Sequence, residues 1–65
     1  MNVNKLKGKI VEKEKNPDMM AEMLGISRAS YYRKLNNPEE FTVGDIVRMK
    51  VGLDMSDTEA CEIFL

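Results

Sequence analysis

Residues that stop and start helices recur at short intervals along the whole chain: Asn16-Pro17-Asp18, Gly25, Ser27, Asn36-Asn37-Pro38, Thr42, Gly52 and Ser56. This punctuation leaves room for short helices only. Asn16 can cap a helix, Pro17 suits a first helical position, and Asp18 complements the positive end of the dipole. Met20, Ala21 and Leu24 give that second helix an inner face, and Gly25 ends it in the left-handed conformation that glycine adopts cheaply. Ser27 caps a third helix over about 28–36, with Ile26 and Tyr31 spaced as a hydrophobic staple. Thr42 with Asp45, and Ser56 with Glu59, are spaced as capping boxes for a fourth and a fifth helix. Phe41 and Ile46 form a second staple, and Gly52 is expected to close the fourth helix.

Ahead of these, Val3, Leu6, Ile10 and Val11 trace one stripe on a first helix. Gly8 interrupts it at a cost near 1 kcal/mol against alanine. No segment alternates with period two over a useful length, so no sheet is expected. The expectation is therefore one all-α domain of five helices spanning residues 1–65.

Composition narrows the function. The chain has 65 residues, 43% of them apolar and 32% charged, a globular mix with one modest core. No apolar run approaches the roughly 18 residues of a membrane helix, and no basic stretch leads into an apolar signal segment; the expected location is cytoplasmic, with no membrane partner. There is no histidine and one cysteine, Cys61, so the commonest base and the commonest metal ligands are missing. Asp54, Asp57 and Glu59 lack the spacing of a calcium loop, and no glycine-rich phosphate loop is present. Neither an enzyme, nor a metal, nor a cofactor, nor a small-molecule ligand is expected. Cys61 and the methionines Met19, Met20 and Met23 are expected to serve as packing residues.

Charge is unevenly placed. Residues 1–35 carry a formal +4 and residues 36–65 carry −5, for a total of −1. One basic end suits an anionic partner, whereas the mildly acidic total argues against strong indiscriminate nucleic-acid binding. Lys5, Lys7, Lys9, Lys13 and Lys15 are expected mainly to solvate the surface.

Two short helices joined by a tight turn containing glycine make a helix-turn-helix, here over about 17–36. Ala21 allows close approach, Gly25 the sharp turn, and Ile26 fills the space beneath. At 100° per residue, Arg28, Ala29, Tyr32, Arg33 and Asn36 share about 140° of arc on the third helix, while Tyr31 and Leu35 point inward. Such a face can enter a major groove with its N-terminal residues nearest the base edges. Arg28 and Arg33 can fork onto guanine O6 and N7, and Ala29 can touch a thymine methyl. Ser27, Tyr32 and Asn36 are better placed for phosphate, with the amides of the helix N-terminus.

With "LGISR" and "YRKLN" in these places, residues 17–36 resemble the helix-turn-helix of the phage Cro and cI repressor type, the XRE-like family. The similarity extends over the chain, with one helix before the motif, two after it, and the tail "GLDMSDTEACEIFL". It implies a five-helix lambda-repressor-like domain, phage or prophage encoded, that binds a palindromic operator in double-stranded DNA. There are departures. Pro17 stands where the family often has a glutamine that touches phosphate, Lys34 where it is often apolar, and Asn37-Pro38 where glycine is more usual.

Apolar residues spread over about 200° of the fourth helix (Val43, Ile46, Val47, Met49, Val51, Leu53) and likewise of the fifth (Ala60, Cys61, Ile63, Phe64, Leu65). That is more than one small core can cover, and it predicts a homodimer through helices 4 and 5. The competing reading is a helical protein-interaction module, an antirepressor or adaptor, that keeps the repressor fold without binding DNA.

Overall fold

In the computed structural model, which describes all residues 1–65, five α-helices and one short 3-10 turn account for the regular structure, with no strand. They are α1 (Val3–Glu12), α2 (Pro17–Leu24), α3 (Arg28–Asn36), the turn Pro38–Glu40, α4 (Val43–Gly52) and α5 (Asp57–Phe64). The molecule measures 29 × 24 × 19 Å. No helix is long and apolar enough to cross a membrane.

Each helix begins on a side-chain cap. Asn2, Asn16, Ser27, Thr42 and Ser56 accept from backbone amides of the first turns, and the last two complete capping boxes with Asp45 and Glu59. Five caps offset the unpaired amides that five helix starts would otherwise leave. Three helices end through a left-handed residue, namely Glu14 (φ 57°) after α1, Gly25 (φ 67°) after α2 and Asp54 (φ 50°) after α4. Behind each, an amide reaches back to the last turn: Lys15 to Ile10, Ile26 to Ala21 and Met55 to Lys50.

One core of eleven residues joins all five helices. Leu6 and Ile10 enter from α1; Met20, Ala21 and Leu24 from α2; Tyr31 from α3; Met49 from α4; and Ile63 from α5. Phe41, Leu53 and Met55 close it from the connections. Met23, Ile26, Leu35, Ile46, Ala60 and Phe64 pack around its edge. α2 packs on α3 and α4, and α1 on α5. The α1–α5 seam is tied by the Asn2 amide donating to the Ile63 carbonyl at 2.6 Å and by Lys9, which pairs with Glu59.

Several expectations need correction. Val11 leaves the inner stripe and is 74% exposed, because α1 stops one residue later and only Leu6 and Ile10 face the core. Gly52 is the last residue of α4, but Asp54 makes the left-handed turn. The missing side chain of Gly52 instead lets Met23 lie across α4, since a Cβ there would overlap the Met23 sulfur. Cys61 is exposed, on the outer side of α5, and Met19 is exposed as well.

Candidate functional site

α2, the turn Gly25-Ile26-Ser27 and α3 form one unit. Gly25 takes the left-handed conformation with open space around its Cα, so backbone shape, not crowding, requires the glycine. The Ser27 hydroxyl accepts from the Ser30 amide at 3.1 Å and starts α3. Tyr31, 2% exposed, then anchors α3 in the core, with Leu35 half-buried one turn on.

This anchoring leaves Ser27, Arg28, Ala29, Tyr32, Arg33 and Asn36 exposed, the six residues singled out from the sequence. Five of them line the outer side of α3, and Ser27 sits at its N-terminus. The arginine side chains are 60% and 58% exposed. The Arg28 guanidinium lies 5.7 Å from the centre of the Tyr32 ring, within cation–π range. The Tyr32 ring is in turn tilted against Tyr31, centroids 5.7 Å apart, so the buried tyrosine steadies the exposed one. At the far end, the Asn37 amide donates to the Arg33 carbonyl at 3.0 Å and closes the last turn.

Two carboxylates complete the surroundings, and neither contact was expected from spacing. Asp18, in the first turn of α2, lies 3.6 Å from the Arg28 guanidinium. Glu40, in the 3-10 turn, accepts from Arg33 Nε at 3.2 Å. Each lies on a different element from its partner, so spacing within one helix does not reveal either contact.

A third pair sets the pose of α3. Lys34 is nearly covered, its side chain 13% exposed, and donates to Asp45 Oδ2 at 2.6 Å; the Asp45 side chain is 6% exposed. The same carboxylate oxygen accepts from the Thr42 amide at 3.0 Å, and Arg48 approaches the other oxygen at 3.9 Å. Burial alone would raise the Asp45 pKa. The Lys34 ammonium and the Thr42 groups outweigh it and hold the carboxyl below the usual range. Asp45 therefore caps α4 and ties α3 to it, which accounts for a lysine that is nearly covered. That also removes Lys34 from any outward role. The lysines with no carboxylate within 4.0 Å are Lys5, Lys7, Lys13 and Lys15, on α1 and the turn after it.

Val43, Val47 and Val51 form an exposed stripe on α4. Ile46, Ala60, Cys61, Phe64 and Leu65 line a shallow hollow of about 250 Å³ between α4 and α5, with no polar residue in its lining. Of the apolar residues expected to be surplus on the last two helices, Val43, Val47, Val51, Cys61 and Leu65 are exposed, whereas Met49 and Ile63 are buried in the core, as is Leu53, which lies just past the end of α4.

The chain matches no protein-family model, and no curated protein or solved structure is significantly similar to it.

Proposed function

We propose that this protein is a sequence-specific, double-stranded DNA-binding transcriptional regulator of the Cro and cI repressor type. In this reading its five helices form a lambda-repressor-like domain, α2 and α3 are the helix-turn-helix, and α3 reads the major groove. The observation that carries the reading is the outward side of α3: a capped helix, anchored inward by Tyr31, with Arg28, Ala29, Tyr32, Arg33 and Asn36 together on its free face. Arg28 and Arg33 then contact base edges, Ala29 packs on a thymine methyl, and Ser27, Tyr32 and Asn36 hold phosphate. Lys5, Lys7, Lys13 and Lys15 add unpaired positive charge from α1 and the turn after it.

The second element of the proposal is a two-fold homodimer through α4 and α5. Its support is the uncovered valine stripe beside an apolar hollow, a surface that a second copy of itself can cover symmetrically. Such a dimer presents two α3 helices to half-sites about 34 Å apart, one turn of duplex. The regulator works in the cytoplasm, where Cys61 stays reduced. Because Cys61 lines the hollow, it reports on the contact: a thiol reagent should label it more slowly as protein concentration rises, and one protomer per site at saturation would refute the dimer.

The function is tested by selecting from a pool of random duplexes and sequencing the bound fraction. The expected result is enrichment of a palindrome. A helical adaptor that uses only the α4–α5 surface would enrich nothing, and that outcome would replace the DNA reading with the protein-interaction one.

A further inference from the structure

The two arginines on the free face of α3 are not free. Each is held by a carboxylate from a different flanking element, Arg28 by Asp18 of α2 at 3.6 Å and Arg33 by Glu40 of the 3-10 turn at 3.2 Å. The four side chains together carry no formal charge. An exposed ion pair contributes little to stability, so the consequence of these two lies in what the arginines are available to bind.

Resting on the DNA reading above, we propose that Asp18 and Glu40 are built-in competitors for DNA. In the free protein they occupy Arg28 and Arg33 in place of a nucleic-acid partner. Before either guanidinium can fork onto a base or meet a phosphate, it must leave its carboxylate. The released carboxylate then faces the DNA backbone, where like charge opposes it. Both effects lower the affinity of the face for any duplex. Both disappear when the carboxylate becomes an amide, which keeps the shape and loses the charge. The remaining unpaired lysines sit on α1 and the turn after it, so this brake acts on α3 itself.

The test compares wild type with Asp18→Asn/Glu40→Gln. A control, Asp54→Asn/Glu62→Gln, makes the same change in net charge at exposed carboxylates with no basic group within 4.0 Å. Binding to a fluorescent random-sequence duplex and to a duplex enriched by selection is measured from roughly 50 to 200 mM salt. The Asp18/Glu40 variant should bind both duplexes on the order of tenfold more tightly at low salt, with a salt slope steeper by about 1–2. The control should stay within about threefold of wild type, because it changes the net charge without releasing either arginine. A variant no tighter than its control overturns the competitor role while leaving wild-type DNA binding in place. Wild type and both variants all failing to bind either duplex would overturn the DNA reading and this inference with it.

Discussion

Asp45 is the side chain through which the α3 face is most exposed to a single change. Asp45→Ala removes the acceptor of the Lys34 ammonium at 2.6 Å and of the Thr42 amide at 3.0 Å. Losing one partner of a fully buried ion pair costs about 3–5 kcal/mol, because the other charge is stranded. Lys34 keeps a narrow route to water, which lowers that figure, while loss of the reciprocal capping-box bond adds to it. The expected loss is about 2–4 kcal/mol, which for a domain of this size lowers Tm by roughly 10–25 °C. Lys34→Met should cost about 1 kcal/mol or less, since Asp45 keeps the Thr42 amide, Arg48 at 3.9 Å and the N-terminus of α4. The double variant should then lose less than the sum of the two single losses. Thermal melts followed by circular dichroism measure all three. An Asp45→Ala melt within about 3 °C of wild type would refute the strut, since that shift corresponds to less than 1 kcal/mol.

Glu59 sets an acid limit. The Lys9 ammonium first, then the Ser56 amide, lowers its pKa from 4.5 to about 2. A carboxylate depressed on folding stabilises fully above its unfolded value, and that stabilisation fades as pH falls from about 4.5 towards 2. Glu59→Gln should therefore be less stable than wild type at pH 7 and should flatten the fall in Tm across this window; parallel profiles for the two proteins would contradict it. Gly25→Ala should cost about 1–2 kcal/mol in a urea melt, because φ 67° strains any residue with a Cβ although the space is open. An unchanged midpoint would mean that the turn relaxes into another conformation.

Much of the architecture was legible because caps act locally. Asn16, Ser27, Thr42 and Ser56 each bond an amide three residues on, so sequence spacing alone locates the helix starts. Gly25 was legible for the same reason. The left-handed stops at Glu14 and Asp54 were not, since glutamate rarely takes positive φ and aspartate takes it far less readily than glycine. Helical periodicity placed five side chains on one face of α3, and the anchoring of Tyr31 leaves that face outside. The tertiary roles of Gly52 and Lys34 were not legible, for a common reason. Their roles come from a partner on another helix, Met23 for one and Asp45 for the other, and no local spacing encodes such a meeting. The Asp18 and Glu40 contacts are hidden in the same way. Val11 and Cys61 show the remaining limit, in that an apolar residue beside the core stripe turns outward when its helix ends early or lies on the surface.

The central claim is that the free face of α3 reads base sequence. Its most direct test is the affinity of Arg28→Ala and Arg33→Ala for the duplex enriched by wild-type protein and for variants of that duplex with single base pairs changed. If the arginines contact base edges, each loss should cost about 1–3 kcal/mol on the enriched duplex and abolish discrimination at the base pair that arginine reads. Wild-type affinity in both variants, or an equal loss on every duplex, would contradict it.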